Sequence, residues 1–412
     1  MLWSDLALGA STQLATLVDE FNKAHSDIHV TIDDSKAVDD GSYLARMRAG
    51  ESPDVALLGG EALVDLRDAG KITAVQGCID KDPTYDVGDI VPASRLAYAL
   101  GGQQIGMPVT VSTPVLMYER NTWKAAGLDP DKPPKTIDQV EAAITQLQKI
   151  AKVSGGLIIA DYSWIVSQWA AQLNIDLAPD ANGHAIDGAR RVDLSDPRIA
   201  AALDSIGVMA RGNNFITQIS NPSGYDDLLQ LTAASHTAAM AFHTSGSLGT
   251  VYSILDSGGY PGSDVGVAPL PGPGTGCTIG GGALWLTTRD QTKAAASWKL
   301  IRYLTDAHAQ SLFATLGYAP VRTTTLAEPE LQFAWAKHPG LKVPYDQVST
   351  PTPTASQIGV AIAVDPDFDS SLSTAVLQVI DQQSSASDAL EVAQRTINAL
   401  LDAYYQLHQA AP

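Results

Sequence analysis

Cysteine is nearly absent from this chain: two residues, Cys78 and Cys277, among 412. Two are too few for a disulfide-built scaffold, so the fold must rest on apolar cores. One bridge between them and two separate thiols stand equally open. Charged residues are scarce too, at 17% against 45% hydrophobic, which excludes a disordered polyelectrolyte. No run of about 18 apolar residues occurs, so no membrane-spanning helix is expected. No targeting segment precedes the strand-like Leu2-Trp3-Ser4; it is expected to have been trimmed or never to have existed. Positive charge is short: 26 Lys and Arg face 45 Asp and Glu, leaving a net charge of −19. Such a surface repels phosphate backbones and argues against nucleic acid as a partner. The charge serves solubility, or it marks an acidic cleft for a cationic or hydroxyl-rich ligand.

Several motifs are missing as well. There is no phosphate-cradling Gly-x-x-x-x-Gly-Lys-Ser/Thr. Gly272-Pro273-Gly274-Thr275-Gly276 lacks dinucleotide-binding spacing and precedes a strand, so it reads as a loop. No His-Glu-x-x-His occurs, and His25 and His29 flank a helix end and a strand rather than sharing a face. Ser245-Gly246-Ser247 lacks the frame of a nucleophile elbow. No cofactor or metal is therefore expected. Acidic pairs are present: Asp33-Asp34, Asp39-Asp40, Asp226-Asp227, and Asp365 with Asp367. Two carboxylates about 5–10 Å apart would permit glycoside hydrolysis. In so acidic a chain, each pair reads first as a solvated loop.

What is there is length and alternation. A chain of 412 residues holds about two or three domains. Leu14, Leu17, Val18 and Phe21 recur at helical spacing, residues 28–32 alternate like a strand, and residues 53–58 form a buried-strand run. Helical stretches at 43–47 and 61–68 complete a β-α-β-α-β order, which predicts a mostly parallel sheet covered by helices. The pattern recurs. Residues 137–150 are amphipathic, residues 156–160 form a strand leading into Asp161-Tyr162-Ser163-Trp164, and Asp196-Pro197 opens a helix. Strands are expected at 238–242, 264–269 and 283–286, helices over 291–316, and a helical tail from Ser371. No repeat of 20–50 residues marks a solenoid. In residues 108–130, Ser112-Thr113-Pro114 interrupts a long extended crossing. Proline has no donor for a ladder, so the chain is expected to leave one sheet there and enter another.

Several stretches taken in order resemble the extracellular solute-binding proteins of ABC importers, of the sugar-binding type. They are Ser112-Thr113-Pro114-Val115-Leu116-Met117-Tyr118, Ala126-Gly127-Leu128-Asp129-Pro130 and Pro133-Pro134-Lys135-Thr136. Then come Ser245-Gly246-Ser247-Leu248, Gly281-Gly282-Ala283-Leu284-Trp285 and Gly317-Tyr318-Ala319-Pro320-Val321. The nearest look within the group is the glycerol-3-phosphate and glycerophosphodiester-binding branch. The resemblance implies a two-lobe α/β periplasmic-binding-protein fold with a ligand cleft between lobes. It places residues 1–109 with 262–318 in one lobe and 110–261 with 319–412 in the other, with crossings near 108–113, Gly262 and Tyr318. It further implies a monomeric binding protein rather than an enzyme. Its partners would be a small-molecule ligand and ABC permease subunits, and a lipid anchor would sit on a cysteine upstream of residue 1.

The site residues it implies are Asp5, Tyr43, Ser112, Thr113, Tyr162, Trp164, Ser245, Gly246, Gly281, Gly282, Tyr318, Asp365 and Asp367. Trp164 carries over best from the branch's aromatic pair, whereas Trp169 reads as core. One departure is decisive. The branch carries Pro-Gln-Ile-Arg near the C-terminus, and its arginine is implied to hold the ligand phosphate. This chain reads Ser356-Gln357-Ile358-Gly359, so the bidentate guanidinium is gone. Carboxylates accept hydrogen bonds from hydroxyls, attract ammonium and repel phosphate. The expected ligand is a carbohydrate, an amino-sugar or a neutral sugar. A glycerophosphodiester such as glycerophosphocholine is the alternative, and a glycoside hydrolase the competitor from another class.

Overall fold

Among the described residues, twelve strands form. They are β1 (Leu2–Ser4), β2 (Ile32–Asp33), β3 (Val55–Gly59), β4 (Ala99–Leu100), β5 (Gln103–Gln104), β6 (Met107–Ser112), β7 (Pro114–Glu119), β8 (Leu157–Ile159), β9 (Phe215–Ile216), β10 (Met240–Thr244), β11 (Val265–Pro269) and β12 (Gly280–Leu286). The computed structural model describes residues 1–6, 8–34, 43–185, 188–212, 215–216, 231 and 237–409. The acidic pairs Asp39-Asp40 and Asp226-Asp227 lie outside the described residues. Two five-stranded sheets result, one in the order β2-β1-β3-β12-β6 and the other β11-β7-β10-β8-β9. Each has helices on its faces and heads its own lobe. The two-lobe fold is as expected, but the sheets are mixed rather than mostly parallel. In each, two pairings are parallel and two antiparallel. The antiparallel pairings involve β6, β7, β11 and β12, the strands beside crossings.

The first crossing is a single residue. β6 ends at Ser112, β7 begins at Pro114, and Thr113 alone connects the sheets. The second is not near Gly262. β11 pairs with β7 in the second sheet and β12 with β3 in the first, so the chain crosses within residues 270–279. Gly266 lets β11 close on its neighbour, since a Cβ there would lie 2.4 Å from the Tyr118 ring. The third crossing comes after Tyr318. Ala319 bridges to Val111 and Arg322 to Ile90, which keeps this segment with the first lobe. Arg322 donates to Asp89 (3.1 Å) with both groups buried, and Thr324 Oγ1 donates to the same carboxylate (2.6 Å). Burial alone would raise the Asp89 pKa, but these donors outweigh it and hold the carboxyl below its usual range. The chain has joined the second lobe by Val343–Val348, which packs on β7 and β11.

Helix starts follow local chemistry. Asp196 accepts Arg198 N–H (2.9 Å) ahead of Pro197, Thr136 caps Gln139 N–H (3.3 Å), and Asp290 caps Lys293 N–H (2.9 Å). Trp285 anchors the first lobe. It is fully buried, its Nε1 donates to Leu58 O (3.1 Å), and its ring meets Tyr98 edge-on at 5.9 Å. Trp285→Ala is expected to cost about 3–5 kcal/mol in urea unfolding, the usual loss for a buried aromatic.

Candidate ligand site in the cleft

The C-terminal ends of β1 and β3 deliver the first lobe's residues to the cleft. Open α/β sheets place ligands at such strand ends. Asp5 follows β1, and its Oδ2 accepts Gly59 N–H (3.1 Å). Glu61 follows β3 after two glycines and opens the helix Ala62–Asp68. Gly60 N–H donates to Gly281 O (3.1 Å), tying this turn to the second crossing. Gly281 has φ 94°, and a Cβ there would lie 1.7 Å from Thr110 O, so only glycine fits.

From the second lobe, β8 leads into the helix Ser163–Leu173. Asp161 Oδ1 accepts from Ser163 Oγ (2.7 Å) and Trp164 N–H (3.2 Å), which fixes the Trp164 backbone at the helix start. The Trp164 ring lies against Gly280, where a Cβ would be 2.3 Å from it. The helix Asp365–Ile380 begins at the cleft with Pro366 in its first turn, behind Val364 at φ 57°. A β-branched residue in that region is strained and is held there by its surroundings.

Between these elements is a cavity of about 170 Å³. Leu63, Tyr98, Trp164 and Phe368 supply apolar wall, residues 278–281 and 358–360 supply backbone, and Glu61, Asp365 and Asp369 supply carboxylates. Among the described residues that line it, none is Lys, Arg or His. Gly359, where the resembling branch carries its arginine, is part of the lining.

Like charges set the electrostatics. Asp369 is pushed up to about 7, first by burial, then by the Asp161 carboxylate, with Glu61 adding to the rise and Ser163 opposing it. Asp365 is raised well above its ordinary range by burial, then by Asp369, Glu61 and Asp65. Burial raises Glu61 as well. Glu61 and Asp369 are nevertheless both exposed to solvent at the cleft, so water there tempers these shifts. Tyr43 and Tyr98 stand behind the acids. Burial raises both hydroxyls, and the Glu61 and Asp5 charges raise them further.

Of the thirteen residues expected from sequence, three line this cavity: Trp164, Gly281 and Asp365. Asp5 and Tyr43 sit just behind it. Tyr162 belongs to the second lobe's core. Asp367 is exposed on another face of its helix, while Asp369, four residues after Asp365, takes the place expected for it. Gly282 N–H donates to Thr110 Oγ1 (3.1 Å) within the first sheet. The other five gather at the hinge. Thr113 N–H donates to Ser245 Oγ (3.1 Å), Ser245 N–H donates to Thr113 O (2.9 Å), and Thr113 Oγ1 donates to Gln347 Oε1 (3.1 Å). Ser112 is buried at the end of β6, and Gly246 packs against the Tyr318 ring. Cys277 is buried, Cys78 is half-buried, and both are free thiols.

The Asp369 shift has a sign that unfolding measurements can read. Its folded pKa of about 7 lies above the unfolded value of about 3.9, so the native chain holds the extra proton in between. Stability therefore falls as pH rises from about 4 to 7. Asp369→Asn is expected to melt higher than wild type at pH 7.5, by about 1 kcal/mol after screening by cleft water, and to show no gain near pH 4.

Residues 16–342 match the family described as bacterial extracellular solute-binding protein. The sn-glycerol-3-phosphate-binding periplasmic protein UgpB of Brucella melitensis is 25% identical, with the alignment covering 98% of this chain and 93% of that protein. UgpB from Mycobacterium tuberculosis, solved in complex with glycerophosphocholine, has a TM-score of 0.78 at 21% identity, covering 98% of each chain. The GacH receptor of Streptomyces glaucescens, solved unliganded and with acarbose, has a TM-score of 0.76 at 18% identity, covering 100% of this chain and 98% of that one. These relatives are binding proteins rather than enzymes, and no helix among the described residues is long and apolar enough to cross a membrane. The chain belongs to the bacterial extracellular solute-binding proteins and is the solute-binding component of an ABC importer, working with a membrane permease.

Proposed function

We propose that this protein captures a small carbohydrate, either amino-bearing or neutral, outside the cytoplasm and delivers it to its permease. The observation that carries this reading is the lining of the cleft: aromatic surface at Trp164 beside three carboxylates, with no basic residue among the described lining residues. Aromatic faces receive the apolar side of a sugar ring, and carboxylates and backbone groups accept from its hydroxyls. An ammonium group on the ring would gain further from Glu61, Asp365 and Asp369. The cavity is smaller than the roughly 300–1,000 Å³ pockets that hold drug-sized ligands, which favours one ring over a chain. Affinity near micromolar, about −8 kcal/mol, is expected.

A second reading is glycerophosphodiester capture, favoured by the glycerophosphocholine complex of the Mycobacterium tuberculosis protein. A choline cation suits the same acids and Trp164. The phosphate does not, because Gly359 stands where the resemblance would put a guanidinium and nothing cationic is among the described residues lining the cavity. Tethering as a monomeric lipoprotein extends the proposal from the family resemblance.

A thermal-shift screen at neutral pH with neutral sugars, amino-sugars, glycerol 3-phosphate and glycerophosphocholine tests the reading. Melting should rise with a sugar or amino-sugar and stay unchanged with glycerol 3-phosphate. A shift with glycerol 3-phosphate alone would overturn it. Trp164→Ala should weaken the responding sugar by at least about tenfold in calorimetric titration.

A further inference from the structure

Away from the hinge, the lobes touch along the rim of the cleft through groups that do not line the cavity. The C-terminal helix Ala386–Gln409 packs on the second lobe's helices, yet its Tyr404 hydroxyl donates to Asp68 Oδ2 (3.1 Å) on the first lobe's helix Ala62–Asp68. Beside it, Asp65 of that helix lies against the backbone N–H of the strained Val364. Further along the rim, His184 of the second lobe reaches the β4–β5 hairpin of the first. Its Nδ1 is 2.9 Å from Ala99 O, and Gly101 N–H donates to His184 O (2.9 Å). His184 is buried, and burial lowers its pKa, so it stays neutral in this contact. Gly188 closes the seam: a Cβ there would lie 3.0 Å from Val64 of the first lobe.

We propose that Tyr404 and His184 form a clasp that holds the lobes closed and sets ligand affinity without touching ligand. These contacts join two bodies that the chain links at three crossings, so they form and break together as the lobes close and open. Affinity scales with the fraction of protein in the binding-competent state, and a clasp raises that fraction. Tyr404 is a positioning residue in this scheme. The inference rests on the two-lobe fold alone and is independent of the ligand's chemistry.

Amide hydrogen exchange on the full-length chain, without ligand, tests it. The Gly101 amide reports the clasp because its acceptor is on the other lobe. Wild type should protect that amide. Tyr404→Phe should lower its protection about fivefold, the equivalent of one net hydrogen bond, while β1 and β3 amides stay unchanged. Tyr405→Phe is the control, since Tyr405 donates to Ala189 O within the second lobe (3.3 Å) and should leave Gly101 as it was. The β3 amides show whether each variant is folded. An unprotected Gly101 amide in wild type would overturn the proposal. So would unchanged protection in Tyr404→Phe, or an equal loss in Tyr405→Phe.

Discussion

Carboxylates from two lobes face one another across a cleft, and no base among its described lining residues neutralises them. Glu61 comes from the end of a strand in one lobe, and Asp365 and Asp369 from the first turns of a helix in the other. The helix N-terminus favours negative charge and holds part of this cost down. The remainder appears as raised pKa values, with Asp369 near 7. Whatever occupies the cleft must relieve that repulsion or at least not add to it. On the proposed reading, ligand choice turns on these three groups.

The rest of the site serves this arrangement. Trp285 supports Tyr98, which forms one apolar wall, and Asp161 fixes the turn that presents Trp164, which forms another. Glycines at 280 and 281 bring the crossing strand against Trp164 and Thr110, where any side chain would collide. The hinge is kept polar and short by the hydrogen bonds among Thr113, Ser245 and Gln347. Opposite forces then meet at closure. Like charges inside the cleft push the lobes apart, and the hydrogen bonds of the proposed clasp at the rim hold them together.

Much of this was legible in the sequence, and the losses have physical reasons. The β-α alternation predicted sheets covered by helices, the family resemblance implied two lobes, and Ser112-Thr113-Pro114 predicted the first crossing within a residue. The second crossing was misplaced because Gly262 carries the turn signal, while the sheet switch depends on which strand β11 pairs with, a long-range matter. Hydroxyl-bearing Ser112, Thr113 and Ser245 match the family's motifs, yet Ser112 is buried at the end of β6 and the hydroxyls of Thr113 and Ser245 are spent on Gln347 and the Thr113 backbone at the hinge. Asp367 was chosen over Asp369 because the segment was read as a loop before a helix at Ser371. Asp365-Pro366 is itself a helix start, and four-residue spacing from Asp365 points to Asp369. Glu61 carried a weaker signal, its place after Gly59-Gly60 at a strand end. Its partners across the cleft are 300 residues away in sequence, and no local pattern reports that.

The most direct measurement is a calorimetric titration comparing glucosamine with N-acetylglucosamine at neutral pH and low salt. The two differ in the ammonium charge and in the acetyl group that removes it, and the salt dependence singles out the charge. If the facing carboxylates govern recognition, glucosamine binds at least about tenfold tighter, and the preference shrinks as salt is added. Tighter binding of N-acetylglucosamine, or a glucosamine preference that salt leaves untouched, would contradict the account.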